Sequence, residues 1–198
     1  MPAAFPRSGS AARAMNEILR FENVSFAWPG MVAPLLEGLT VQFDRGWTGI
    51  VGANGCGKTT LLRLASGELD PADGTVARPD SCLYVVQRTD DPPEGLDAFF
   101  AADDAPAWQV RADLDIGDDW DARWTTLSHG ERKRLQIAIA LWRAPGLLAL
   151  DEPTNHLDAV ARATLLAALR ALADDPAPAL VERATLTSPR TWTLDITL

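Results

Sequence analysis

The clearest chemistry in this chain lies in Gly52-Ala53-Asn54-Gly55-Cys56-Gly57-Lys58-Thr59, which meets G-x-x-x-x-G-K-[ST] at every fixed position. Glycines at these spacings let the backbone curl so that successive N–H groups point at phosphate oxygens. A helix beginning at the end of the loop adds the positive pole of its dipole. Lys58 offers a point charge to β- and γ-phosphates, the Thr59 hydroxyl is a hard oxygen ligand for Mg²⁺, and Thr60 is grouped with the same loop. Cys56 stands at a variable position beside Lys58 and a helix start, both of which lower a thiol's pKa. It reads either as a small space-filling residue or as an oxidisable thiol whose modification blocks nucleotide entry.

A second constellation is Leu147-Leu148-Ala149-Leu150-Asp151-Glu152, an apolar strand that delivers two carboxylates at its carboxyl end, where open α/β sheets place their ligands. Strand alternation sends consecutive side chains to opposite faces, so the two carboxylates are expected to divide the work. Asp151 reaches the Mg²⁺ shell, and Glu152 orients and deprotonates the attacking water. A third is Leu127-Ser128-His129-Gly130-Glu131, ahead of a helix whose core face is read as Leu135, Ile139 and Trp142. Ser128 and Glu131 fit the capping box S-x-x-E, so helix capping alone accounts for them. Arg132, Lys133 and Arg134 put three cations in the first turn, against the dipole, which suggests a helix start facing an anion or a charged surface.

The elements that must position these groups follow from periodicity. Ile18 to Trp28 and Leu39 to Phe43 read as antiparallel strands, and Trp47 to Val51 as a strand running into the glycine loop. Lys58 to Ser66 has helical spacing, Cys82 to Val86 reads as a strand, and Leu147 to Leu150 as a strand buried on both faces in a parallel sheet. The fold class is α/β, a mostly parallel core sheet flanked by helices, with an N-terminal antiparallel β subdomain.

At 198 residues and 47% hydrophobic, the chain is long enough for one domain with a full core, and ordinary Gly, Pro and charge content excludes collagen-like, coiled-coil and disordered architectures. A net charge of −9 argues against holding nucleic acid by phosphate neutralisation, so direct DNA binding is not expected. Most of that charge lies in residues 90–121, where eleven Asp and Glu face only Arg111; a solvated helical face is the plain reading. Two cysteines, no apolar run of membrane length and no secretory signal point to the cytoplasm. Residues 1–14 read as a disordered tail, with Met15 as an alternative start.

Together these motifs resemble the ATP-binding cassette (ABC) ATPases, from about Ile18 to about Leu172. The resemblance implies a P-loop NTPase of ABC type spanning residues 15–198, with a short helical subdomain at about 89–127. It implies ATP and Mg²⁺ as ligands, and Ser128, His129, Gly130 and Glu131 as the signature that meets the γ-phosphate of an ATP held by a second cassette, head to tail. Trp28 matches the aromatic that stacks on adenine. Gln87 matches the glutamine that reaches the Mg²⁺ and attacking-water region, and Asp158 the aspartate that links the two sites of the dimer.

Two departures stand out. His129 replaces the first glycine of the signature. The family's switch histidine, expected on a strand after the helix over 159–172, has no counterpart, since the chain's two histidines are His129 and His156. Residues 173–198 are therefore expected to be an atypical C-terminal segment: a deletion that leaves Leu180 to Leu194 as the stretch normally following the switch, or a truncated or frameshifted tail. The run from Asp151 to Asp158, the cations after the signature and the short span from Gln87 to Ser128 resemble the soluble ABC-F branch, which acts on ribosomes. Three readings stay open: an ABC-F-like soluble ATPase, the nucleotide-binding subunit of a transporter with membrane permease partners, and an ATP-binding remnant.

Overall fold

The computed structural model describes residues 19–44, 46–155, 157–173, 179–183, 185–188 and 191–193, with side chains to residue 169. The expected tail over 1–14 and His156 lie outside them. The chain divides into two units.

The unit built from Gly9–Tyr84, Gly146–Asp151 and Ala177–Leu198 contains the sheets. Strands β1 (Leu19–Phe26), β2 (Leu36–Phe43) and β4 (Asp73–Ala77) form an antiparallel sheet in the order β2-β1-β4. On β1, Leu19, Phe21, Val24 and Phe26 are buried, and Phe21 meets Phe43 edge-on at 6.0 Å. The step from Phe21 to Val24 skips the strict alternation because β1 bulges there: the register shifts against β2, and Asn23 adopts φ 51°. Gly74 of β4 faces the bulge at φ +83°, where a Cβ would lie 2.4 Å from the Asn23 carbonyl oxygen, so only glycine fits. Strand β4 escaped the sequence reading because Asp-Gly-Thr-Val-Ala is too polar and short to show a period. Its place depends on pairing Val76 with Phe21.

The second sheet has the order β3-β7-β6-β5, with β3 (Trp47–Ile50), β5 (Cys82–Val85), β6 (Leu147–Leu150) and β7 (Ala179–Arg183). Strand β7 runs parallel to both β3 and β6. All four residues of β6 are buried, as a two-sided strand requires. Helix α1 (Lys58–Ser66) packs on β6, burying Leu61, Leu62, Leu64 and Ala65 into the same cluster as Phe21, Leu147 and Ala149. Residues 179–183 are themselves a core strand between β3 and β6, and their Ala-Leu-Val-Glu-Arg sequence carries no histidine. Strands β8 (Thr185–Ser188) and β9 (Thr191–Thr193) form an antiparallel pair.

The other unit includes Val85–Pro145 and Glu152–Pro176. It contains α2 (Leu96–Ala101), α3 (Ala105–Asp113), a 3-10 turn (Trp124–Thr126), α4 (His129–Trp142) and α5 (Ala159–Ala173). Asp104 starts α3 by accepting the Ala107 N–H at 2.7 Å, with Pro106 in the first turn. Helix α3 packs on α4 and α5, and α2 on α4, with Phe99, Leu114, Leu135, Ile137 and Leu165 fully buried. The acid-rich run supplies a cap at Asp104 and the exposed ion pair of Asp119 with Arg123, in line with a solvated face, while exposed Asp115 pairs with the largely buried Arg134. Among the described residues no helix is long and apolar enough to cross a membrane.

Candidate nucleotide-binding site

The glycine loop lies between β3 and α1, and its backbone explains its sequence. Gly55 and Gly57 have φ +81° and +103°, and a Cβ on Gly57 would also press on Leu35 at 3.3 Å. Gly57 caps α1 with no side-chain hydrogen bond, so no side-chain acceptor competes for the first-turn N–H groups. The Lys58 ammonium is folded over the loop, donating to the carbonyls of Gly52 at 2.8 Å and Ala53 at 3.0 Å. Cys56 is a free, half-buried thiol within this loop.

Thr59 and Asp151 are far apart in sequence, yet the Thr59 hydroxyl donates to Asp151 Oδ2 at 2.8 Å. The packing of α1 on β6 produces this meeting, because Asp151 directly follows β6. The same Oδ2 accepts the Tyr84 hydroxyl at 2.8 Å. The sequence reading missed Tyr84: it sits on β5, and only the adjacency of β5 and β6 brings it to Asp151. Burial of the phenol, with the Asp151 hydrogen bond and charge, raises its pKa far above the ordinary tyrosine value. Asp151 itself is buried.

These oxygens fit Mg²⁺ in the way phosphate sites hold it. Among the described residues no cluster of three or more His, Cys, Asp or Glu side chains could hold a metal alone. One hydroxyl and one carboxylate suit an ion whose remaining ligands are phosphates and waters.

Trp28 lies just past β1 on the same unit. Its indole N–H donates to Thr60 Oγ1 at 3.3 Å, its ring meets Phe26 edge-on at 5.2 Å, and the Arg63 guanidinium is 5.8 Å from the ring centre. Helix α1 thus ties Trp28 to the glycine loop through Thr60, with 37% of the residue exposed.

Gln87, Ser128, His129, Gly130, Glu131, Glu152 and Asp158 belong to the helical unit. Glu152 does not follow the alternation expected from the strand. Strand β6 ends at Leu150, and Glu152 adopts φ 48°, a strained backbone closed by a hydrogen bond from the Asn155 N–H to the Glu152 carbonyl at 3.1 Å. Glu152 thus belongs to a turn and not to the strand. Asp158 caps α5, its Oδ1 accepting the Ala161 N–H at 2.8 Å.

The start of α4 is a complete capping box: Ser128 Oγ accepts the Glu131 N–H at 3.3 Å, and Glu131 Oε2 accepts the Ser128 N–H at 2.7 Å. Burial pulls the Glu131 pKa upward, but the Ser128 hydrogen bonds and the charges of Arg123 and Arg134 outweigh it and hold it below the ordinary value.

Arg132, Lys133 and Arg134, expected to face an anion or another charged surface, are instead bound to backbone carbonyls. Arg132 donates to the carbonyls of Trp124, Thr125 and Thr89, Lys133 to that of Val86, and Arg134 to those of Leu114 and Asp115. The cations satisfy carbonyls of irregular backbone around α4, an arrangement that residue types alone do not disclose.

Comparison with known proteins follows the same lines. Residues 36–155 match the family profile described as ABC transporter. The chain is 34% identical over 179 residues to an ABC transporter ATP-binding protein of Nitratidesulfovibrio vulgaris, covering 76% of this chain and 66% of the relative. It is 37% identical over 137 residues to ATP-binding protein Uup of Caulobacter vibrioides, covering 67% of this chain and 22% of that protein. This chain thus spans less than two thirds of these relatives' length. A solved ABC transporter ATP-binding protein from Pyrococcus furiosus shares the fold, with a TM-score of 0.69 at 21% identity over 86% of this chain and 93% of that one.

Proposed function

This chain belongs to the ABC transporter family, and from that premise we propose that it binds Mg-ATP and hydrolyses it to ADP and phosphate when two cassettes close head to tail. The observation that carries the reading is the meeting of Thr59 and Asp151 at the end of the glycine loop, 2.8 Å apart across 92 residues of sequence. The loop amides and Lys58 hold the β- and γ-phosphates, and Trp28 offers its ring face to adenine. Thr59 and Asp151 would hold Mg²⁺, which would supply positive charge to the phosphate oxygens. Glu152 takes the proton of the attacking water as its oxygen bonds to the γ-phosphorus and the bridging oxygen leaves with ADP. Gln87 orients that water. Ser128 and Gly130 of the second cassette complete the γ-phosphate contacts, and Asp158 lies toward the shared interface.

The test is Mg-ATP turnover across protein concentration, beside Glu152→Gln and Lys58→Ala. The reading expects turnover that rises more than linearly with protein, is lost in Glu152→Gln with binding retained, and is lost together with binding in Lys58→Ala. Equal turnover in Glu152→Gln removes Glu152 as the base. Binding without turnover in the parent chain favours a partner-dependent module or a remnant, in keeping with the absent switch histidine.

Within the family we favour an ABC-F-like soluble cytoplasmic ATPase linked to the ribosome. The run from Asp151 to Asp158, the short span between Gln87 and Ser128, and the identity to ATP-binding protein Uup support it. A second reading, the nucleotide-binding subunit of a transporter, is favoured by the longer coverage of the Nitratidesulfovibrio vulgaris relative. Sedimentation with ribosomes in the presence of ATP supports the first, and recovery with membranes the second.

A further inference from the structure

Residues 86–89 follow β5 as irregular backbone, so the sheet ladder leaves their carbonyls to find other donors. One stripe of α4 supplies these donors. His129, Arg132, Lys133 and Gln136 stand at i, i+3, i+4 and i+7, a spacing that places them on a single helix face. In an ordinary amphipathic helix the buried part of a face is apolar, but this stripe runs from exposed His129 and half-buried Arg132 to buried Lys133 and Gln136. Here Lys133, only 1% exposed, donates its ammonium to the Val86 carbonyl at 2.6 Å. Gln136 Nε2, also buried, donates to the Arg88 carbonyl at 2.8 Å. Arg132 Nη1 reaches the Thr89 carbonyl at 3.4 Å, and His129 Nδ1 is 3.0 Å from the Thr89 hydroxyl. The carbonyls on both sides of Gln87 are therefore fixed to α4, while the residue itself is exposed.

We propose that Lys133 is a positioning residue: with Gln136 and Arg132 it locks the backbone around Gln87 to the first two turns of α4, so that Gln87 and the signature residues Ser128 to Gly130 move as one body. This rests on the reading of Gln87 and the signature as nucleotide-contacting groups. A long, flexible lysine buried to the end of its stem is a costly choice for packing alone, since an apolar residue would fill the same volume without desolvating a cation. Movement of the helix start, where a second cassette's nucleotide is met, then carries Gln87 with it.

The experiment uses the whole chain with Lys133→Met, which keeps the stem and removes the donors, Lys133→Arg, which restores a cationic donor, Gln87→Ala, and the double variant Lys133→Met/Gln87→Ala. Amide exchange at residues 86–90 is expected to quicken about tenfold in Lys133→Met, with amides of α1 unchanged, and to return toward the parent rate in Lys133→Arg. In Mg-ATP turnover, Lys133→Met is expected to lower kcat about as far as Gln87→Ala with KM unchanged, and the double variant to be no slower than Gln87→Ala. Unchanged exchange at 86–90, or losses that multiply in the double variant, overturns the proposal. Gln87→Ala turning over like the parent overturns the reading of Gln87 instead, and the exchange measurement still decides whether the lock exists. Should Lys133→Met fail to fold, Gln136→Leu removes the donor to Arg88 and is read in the same two assays.

Discussion

Replacing Tyr84 by Phe removes one hydroxyl and leaves the ring, which confines the change to the hydrogen bond received by Asp151 Oδ2 at 2.8 Å. A hydrogen bond to a charged group contributes about 1.5–3 kcal/mol, and half-burial of Tyr84 places the expected loss near the lower end, about 1.5 kcal/mol. For a chain of this size that corresponds to roughly 3–6 °C in melting temperature. A second readout comes from pH. Burial first, then the hydrogen bond and charge of Asp151, raise the phenol's pKa above its ordinary 10.0. The folded state therefore holds the phenolic proton more tightly than the unfolded chain. Its contribution is complete below the ordinary value and is lost as pH rises past about 10. Tyr84 is the chain's only tyrosine, so tyrosinate absorbance reports this one group. We expect the folded parent to stay protonated beyond pH 10, and the melting difference from Tyr84→Phe to be steady near neutral pH and to shrink above pH 10. A tyrosinate midpoint at 10.0 in the folded protein, or identical melting of the two chains near neutral pH, refutes the reasoning.

Trp28→Ala should weaken ATP binding about 3- to 10-fold, with Trp28→Phe retaining most of the affinity, as titration with a fluorescent nucleotide would show; equal affinities would leave the ring as packing only. Ser128→Ala removes the N-cap of α4 and is expected to destabilise by about 1 kcal/mol, read by thermal melting. Because the Glu131 pKa is depressed on folding, its contribution is present above 4.5 and is lost as pH falls through the folded value, so Glu131→Gln should flatten part of the acid-side decline in melting temperature. Leu148→Ala empties a fully buried position in β6, with an expected loss of about 2–5 kcal/mol in denaturant unfolding. Val160→Ala, exposed on α5, should stay within about 0.5 kcal/mol of the parent.

How far the sequence could be read depended on the range of the interactions involved. Strand β6 was legible because four consecutive apolar residues need burial on both sides, and α1 because its period and the glycine loop coincide. The capping box at Ser128 and Glu131 was legible for the same reason, since its partners are three residues apart. Strand β4 was not, because its five residues carry no period of their own. The role of the cations after Ser128 was misread, because their type suggested an anion while their geometry satisfies carbonyls of Val86, Thr89 and Leu114.

The sequence alone determined the glycine loop, the paired carboxylates and the helix start, each a pattern of neighbours whose geometry a short stretch of backbone dictates. Tertiary structure decided that Tyr84 and Thr59 share one oxygen of Asp151, that residues 179–183 enter the sheet between β3 and β6, and that Lys133 holds the backbone beside Gln87. Each of these joins groups tens of residues apart, and such meetings are set by which strands and helices pack side by side. No local propensity encodes that choice; it follows from burying the apolar faces and pairing every buried carbonyl at once.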